Sequence, residues 1–358
     1  MSSQIRILFI IDGLHGGGKE RQLYEIIKVL SKTPHLKTGI ITFNKNGHYS
    51  NKIKELVTFF VELNKRPTRL EPFFTIWKHI RVFEPDIVHT WDSLSSMYAY
   101  FPTKIFKLKS IDGSIRDAGI ENGWQLCLKK YFLNRADLVI ANSIAGLHHY
   151  KINGEVIYNA IDTRRFHQKK LSNEINIIMV ANFTEYKDHK TFMEAAIKLV
   201  NNNLISNVYL AGDGPYKQTH IDNIKANHAK IFQRFHFLGF TNNVEKYLSK
   251  CQFGVLCSTS TYSEGVSNSV LEYMAAGLIP IVTDVGGMKE AINNNVNGFL
   301  IEEKKPIQIV EIIQSLQKDS KKTVNIILNA KESIKTKFSY EQNINKLITI
   351  YKKICIKK

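Results

Sequence analysis

The chain has 358 residues, 44% hydrophobic and 23% charged, with 49 Lys and Arg against 32 Asp and Glu for a formal charge of +17. That length suits two domains better than one core, and the composition is that of an ordinary globular chain. No apolar run nears the ~18–20 residues of a membrane span, and residues 1–20, with Asp12, a glycine cluster and Glu20, do not read as a signal peptide.

Ile5 to Ile11 is apolar but for Arg6, as expected of a strand buried on both faces. It ends in Asp12-Gly-Leu-His-Gly-Gly-Gly-Lys-Glu-Arg, and apolar residues at helical spacing run on through Leu30. A strand, a glycine loop and a helix make an anion site, because absent side chains let backbone N–H groups approach a phosphate. The spacing is neither that of a P-loop nor that of the dinucleotide fingerprint. Strand candidates follow at 38–42, 58–63, 86–91, 108–112, 137–141 and 155–158, separated by helical stretches near 73–83, 95–106, 123–135 and 143–150. This alternation predicts a doubly wound parallel sheet. His89 ends one strand, where it would either line a cleft or sit as a buried, bonded histidine. The helix 123–135 mixes Trp124, Leu128, Tyr131 and Phe132 with Lys129, Lys130 and Arg135, which suits a lipid interface or a core position. Residues 164–173 turn polar, and a second alternation begins: strands at 175–181, 207–211 and 234–238, with helices at 188–201 and 216–229.

Residues 255–300 carry the most chemistry. An apolar strand, 253–257, feeds a polar loop holding Glu264; a helix opens near Ser267 and closes at Gly277, and a strand at 278–283 follows. Backbone N–H groups at a helix start, here near Ser267, Asn268 and Ser269, suit a phosphate. Glu264 and Glu272 on either side suit vicinal hydroxyls, since two carboxylate oxygens accept from two hydroxyls. A diphosphate between two diols describes a nucleotide sugar. The plainer alternative is a capped helix with two solvated glutamates.

Glu264, seven intervening residues and Glu272, followed by Met-Ala-Ala-Gly-Leu-Ile-Pro-Ile-Val, resemble the signature of the family-four retaining glycosyltransferases. The resemblance implies the GT-B fold: two Rossmann-like, doubly wound parallel-sheet domains facing an inter-domain cleft. We place them at residues 1–166 (acceptor) and 167–338 (nucleotide sugar), with 339–358 as a helix crossing back to the first. By the same resemblance Gly16 and Gly17 lie against the donor diphosphate, and Glu20 and Arg21 fix that loop or meet the acceptor. A helix cap and surface pair would use Glu20 and Arg21 equally well. Ala181-Asn-Phe-Thr-Glu-Tyr-Lys matches the loop that gives relatives an Arg and a Lys for the diphosphate. Lys187 keeps the lysine position, whereas Asn182 and Thr184 stand where the arginine is usual. Gly212 relieves crowding near the nucleotide, with Leu238 or Phe240 near the base. Where many relatives carry His-Asp, this chain has Arg116-Asp117. Asp117 would orient an acceptor hydroxyl or the sugar and Arg116 an acceptor phosphate, with a loop salt bridge as the alternative.

The expected activity is transfer, with retention, of a hexose or N-acetylhexosamine from a nucleotide-diphosphate sugar, UDP-linked by family habit, to a saccharide acceptor. Lys187, Glu264 and Asp117 are the catalytic candidates, Gly16, Gly17, Asn182, Gly212, Ser267, Asn268, Ser269 and Glu272 the donor contacts, and Glu20, Arg21, His89 and Arg116 the acceptor contacts. The sequence holds no Asp-x-Asp, so neither a metal nor a cofactor is expected. The basic surplus suits phosphorylated substrates or anionic headgroups, so the expected acceptor is a lipid-linked saccharide of an envelope polysaccharide such as lipopolysaccharide or capsule. No nucleic-acid-binding signature appears. Cys127, Cys251, Cys257 and Cys355 have neither metal nor disulfide spacing, so the expected place is the cytoplasm, peripheral to the inner face of the membrane. Two rivals share the fold: a hydrolysing nucleotide-sugar epimerase, which needs acidic and histidine groups in the first domain, and a non-catalytic scaffold, for which the missing arginine speaks.

Overall fold

The protein is described here by a computed structural model covering residues 4–63, 70–119, 123–166, 174–262 and 264–356. It divides into two compact units, residues 1–160 with 341–358, and residues 161–340. The division falls at Ala160, ahead of the polar stretch expected to mark it; residues 167–173 of that stretch lie outside the described residues.

Strands β1 (Ile5–Ile11), β2 (Leu36–Thr42), β3 (Phe59–Glu62), β4 (Ile87–Thr90), β5 (Lys109–Ile115), β6 (Leu138–Ala141) and β7 (Glu155–Val156) belong to the first unit. They form one parallel sheet in the order β3-β2-β1-β4-β5-β6-β7. Parallel strands need crossovers, and helices such as Gly18–Leu30, Glu71–Phe83 and Ser93–Ile105 supply them. The middles of the strands are largely apolar because both faces are covered: Leu8 and Ile10 pack with Ile41, Ile76 and Ile80 in one buried cluster. The helix Tyr340–Ile356 completes this unit. Its Tyr351 is fully buried, and its Lys346 donates to the Val156 carbonyl at 3.0 Å and pairs with Glu155 at 2.9 Å.

The second unit repeats the plan with β8 (Asn176–Val180), β9 (Asn207–Ala211), β10 (Phe235–Gly239), β11 (Phe253–Leu256), β12 (Ile279–Thr283) and β13 (Phe299–Ile301). Their order is β10-β9-β8-β11-β12-β13, also parallel. Two devices fix the unit's centre. Gly254 in β11 leaves room for the Tyr273 ring, with which any Cβ there would collide. The Tyr273 hydroxyl then accepts the Val180 N–H at 2.7 Å, tying the helix Asn268–Ala276 to the end of β8. That helix starts after Ser267 and stops at Gly277, whose φ of +74° is the left-handed stop that glycine permits.

Candidate active site

In both units the strand order reverses beside the first strand: between β8 and β11 in the second, and between β1 and β4 in the first. Loops leaving the carboxyl ends of such a strand pair diverge to opposite sides and leave a crevice between them, where open α/β sheets hold ligands.

In the second unit, residues 181–188 follow β8 and residues 257–267 follow β11. Lys187 from the first loop and Glu264 from the second meet as an ion pair, their side chains 8% and 24% exposed. Each partner is held by its own backbone. The Lys187 carbonyl accepts from the His189 N–H at 2.5 Å and lies 2.6 Å from His189 Nδ1. His189 stacks on Phe183 at 4.0 Å between ring centroids, and burial pushes its pKa down to about 4, so the ring is neutral. Gly212, at φ +144°, lets the next turn pack against the Ala181 carbonyl below this loop. Across the crevice the Glu264 carbonyl accepts the Gly287 N–H at 2.9 Å, and Gly286, at φ +57°, leaves no room for a Cβ beside that oxygen. Glu264 Oε2 is buried and has no hydrogen-bond partner.

The helix Asn268–Ala276 begins at the same crevice, and the Ser267 side chain makes no capping bond to it. The first N–H groups of a helix lack intrahelical partners and carry its positive dipole end. Asn268 and Ser269 are half-buried there. Ser269 differs from expectation in one respect: its hydroxyl donates to the Val180 carbonyl at 2.7 Å, so it is the main-chain N–H that it presents. Glu272, one turn further along, is buried, with Arg165 Nη1 at 4.0 Å from its Oε1. Asn182 is exposed, and its carbonyl accepts the Thr184 N–H at 2.9 Å. Phe240 is 51% exposed.

In the first unit, the Asp12 N–H donates to Asp92 Oδ2 at 2.8 Å, and Lys19 Nζ reaches both Asp12 oxygens at 2.7 and 2.8 Å. Trp91 Nε1 donates to the Lys19 carbonyl at 3.0 Å. Asp92 also caps the helix Ser93–Ile105 through the Ser95 N–H at 2.9 Å, and burial with Asp12 beside it raises its pKa. These bonds pin the loop 12–17 and the helix start at Gly18, with Gly16 exposed and Gly17 half-buried. The Arg21 N–H donates to the Gly17 carbonyl at 3.2 Å, placing half-buried Arg21 on the turn after the loop.

Glu20 turns back under that loop. Its carboxyl lies against Gly17, where a Cβ would strike Oε2, and Oε2 has no hydrogen-bond partner. Burial pushes its pKa from an ordinary 4.5 up to about 7, against the opposing pull of Lys19. The unfolded chain loses this proton near 4.5 and the folded chain keeps it to about 7. The stabilisation tied to the proton is therefore complete at acid pH and falls as pH rises between those values. Glu20→Gln is expected to flatten that slope and to exceed wild type at pH 8 by on the order of 3 kcal/mol in urea denaturation. Parallel pH profiles for the two proteins would contradict it.

Three expectations for this unit are corrected. His89 is 0% exposed, with Nδ1 2.8 Å from the Tyr351 hydroxyl and its ring against Phe9 and Trp91. Burial, with the Arg116 charge added, pushes its pKa well down. It is a neutral core residue fastening the C-terminal helix, not a group offered to an acceptor. Asp117 accepts from the Tyr150 hydroxyl at 2.5 Å and pairs with buried Lys129 at 3.5 Å, while Lys129 also donates to Tyr150 at 2.9 Å. The salt bridge weighed as an alternative is what forms, and Asp117 is committed to it. Because Lys129 points inward, it adds no charge to the face of the helix Gly123–Leu133 that exposes Trp124 and Tyr131.

The Arg116 guanidinium carbon lies over Trp91, 3.8 Å from the ring centroid, with Nε donating to the Gly113 carbonyl at 2.9 Å. Burial lowers its pKa to about 10, which leaves it cationic at neutral pH. Sequence reading missed this stack and the Asp12–Lys19–Asp92 network because their members come from different strand ends. It also missed Arg165, although the dipeptide Arg164-Arg165, just after the division at Ala160, was a visible signal.

The crevice of the second unit thus sets a buried ammonium and a helix start beside two carboxylates, an arrangement that accepts an anion carrying hydroxyl groups on both sides. Two such Rossmann-like units, one with seven and one with six parallel strands, define a GT-B protein. The crystal structure of Anabaena Alr3699/HepE in complex with UDP matches with a TM-score of 0.81 at 19% identity, covering 98% of this chain and 100% of that one. At that identity the likeness speaks for the fold. A profile described as Glycosyl transferases group 1 matches residues 160–333, and one described as Glycosyltransferase Family 4 matches residues 16–165. The chain belongs to the family-four glycosyltransferases.

Among curated relatives, the N-acetyl-alpha-D-glucosaminyl L-malate synthase of Bacillus anthracis is 28% identical over 207 residues, 55% of this chain and 53% of that protein. The N-acetylgalactosamine-N,N'-diacetylbacillosaminyl-diphospho-undecaprenol 4-alpha-N-acetylgalactosaminyltransferase of Campylobacter jejuni is 25% identical over 218 residues, 56% and 58%. The chain thus spans about half the length of the curated relatives it matches.

Proposed function

We propose that this protein is a retaining glycosyltransferase that moves a hexose or N-acetylhexosamine from a UDP-linked donor to an anionic, lipid-linked saccharide acceptor in polysaccharide biosynthesis. The observation that carries the reading is the Lys187–Glu264 pair at the strand-order reversal of the second unit, beside the start of the helix Asn268–Ala276. In this reading the donor diphosphate takes the place of Glu264 beside the Lys187 ammonium and meets the helix N–H groups. Glu264 then accepts from a sugar hydroxyl, and Glu272 from the ribose diol. The bond from the anomeric carbon to the β-phosphate oxygen breaks, and negative charge grows on that oxygen. A buried ammonium fixed in advance is an effective stabiliser of such charge. The acceptor oxygen bonds to the same face of the anomeric carbon, and its proton passes to the leaving phosphate, so no separate base is required.

Lysine and helix dipole together supply the counter-charge, and we extend the proposal to metal independence. Among the described residues no three His, Cys, Asp or Glu side chains gather as a metal site would need. Transfer should keep at least about half its rate in excess EDTA, whereas loss restored by magnesium would place the metal in the mechanism.

Support for an anionic acceptor comes from Arg116, which stays cationic on Trp91. The names of the two relatives given above each include an anionic group, L-malate in one and a diphospho-undecaprenol in the other. Among the described residues no helix is long and apolar enough to cross a membrane. Exposed Trp124, Tyr131, Phe101 and Ile105, on two helices joined by a Tyr100–Tyr131 ring contact, favour peripheral attachment to lipid. The epimerase alternative is disfavoured because it needs acid–base groups that reach a sugar, and in this unit His89 is covered and Asp117 is bound to Lys129. Incubation with a panel of nucleotide sugars, with and without a lipid-diphosphate saccharide, tests the reading. Acceptor-dependent UDP release supports it, and release of a free epimerised sugar, or none with any donor, overturns it.

A further inference from the structure

Arg165 is the cation beside Glu272. It ends the short turn Thr163–Arg165, its N–H donating to the Asp162 carbonyl at 3.2 Å, at the very start of the second unit. The side chain, 25% exposed, reaches two carboxylates: Nη2 pairs with Glu245, and Nη1 lies 4.0 Å from Glu272 Oε1. Glu272 is only 3% exposed at its side chain, and a nearby cation offsets the cost of burying a carboxylate.

Resting on the proposed reading of this crevice, we infer that Arg165 is the positioning residue for ribose recognition: it holds Glu272 charged and aimed so that the carboxylate accepts from the two ribose hydroxyls of a nucleoside diphosphate. The geometry favours this over a plain structural tie. At 4.0 Å the guanidinium supplies charge without itself taking an acceptor site on Glu272, because that separation is too long for a hydrogen bond. Its firm contact is with Glu245, which anchors the side chain. The planar fork points Nη2 at one carboxylate and Nη1 towards the other, a fixed geometry that a flexible lysine ammonium does not reproduce. The nucleotide's hydroxyls are thereby read by a carboxylate whose partner belongs to the turn that opens the unit.

The test uses the full chain and compares binding of UDP with 2′-deoxy-UDP by titration calorimetry, in wild type, Arg165→Gln and Arg165→Lys. Wild type is expected to prefer UDP about tenfold, the scale of one lost hydrogen bond to a charged acceptor. Both variants are expected to bind UDP on the order of tenfold more weakly and to separate the two ligands by less than about twofold, lysine giving no rescue. The ratio is read within one preparation, so partial misfolding does not mimic its loss. A variant that keeps the wild-type preference overturns the inference, as does a wild type that binds both ligands equally. Absence of binding to either ligand by wild type would instead remove the reading of the crevice on which the inference rests.

Discussion

Lys187→Ala is expected to lower kcat/KM for transfer by about 10²- to 10³-fold, the scale of removing one fixed electrostatic donor from a transition state. The ammonium is 8% exposed and sits where the chain connections diverge, so water cannot replace it cheaply. The substitution also leaves Glu264, with one oxygen already lacking a partner, facing the diphosphate with like charge. Glu264→Gln in the Lys187→Ala background should relieve that repulsion and recover part of donor binding with little recovery of kcat. Initial rates at saturating acceptor decide the matter. A loss smaller than about fivefold for Lys187→Ala would show that the leaving-group charge is met elsewhere.

Asp117→Ala is expected to destabilise the protein by about 3–5 kcal/mol in urea denaturation, because it strands the Lys129 ammonium among buried groups. That is a large share of the ~5–15 kcal/mol that holds a domain folded. Asp117→Asn should cost less, since the amide oxygen can still accept from the Tyr150 hydroxyl. Replacing both ends, Asp117→Ala with Lys129→Met, should recover most of the loss, as removing a whole buried pair often does. Unchanged stability with a large loss of transfer would return Asp117 to the chemistry.

The strands were legible because parallel strands buried on both faces are written as short apolar runs between turn residues, as in residues 7–11 of β1 and in Ile279–Thr283. The helix start at Ser267 and its stop at Gly277 were equally plain, since caps are local chemistry. Less plain were short helices such as Ser50–Lys54 and Glu245–Leu248, too brief to show a period. The β5 strand runs past Asp112 to Ile115 through an irregularity in its pairing with β6, which no alternation of residue types announces.

The site was legible in its parts and not in its pairings. Glu264 and Lys187 stood out separately, but that they neutralise each other depends on β8 and β11 being neighbours. His89 was equally open to a surface or a core role until the Tyr351 hydroxyl was found beside it, from a helix at the far end of the chain. Ser269 shows the limit of residue type as a guide. A serine at a helix start suits an anion, yet its hydroxyl here serves the Val180 carbonyl.

A crystal structure of the protein with a UDP-sugar bound tests the central claim most directly. The account predicts the diphosphate within hydrogen-bond reach of Lys187 Nζ and of the N–H groups at the start of Asn268–Ala276, with Glu264 turned from Lys187 to a sugar hydroxyl. A diphosphate bound elsewhere, with the Lys187–Glu264 pair still closed, would contradict it.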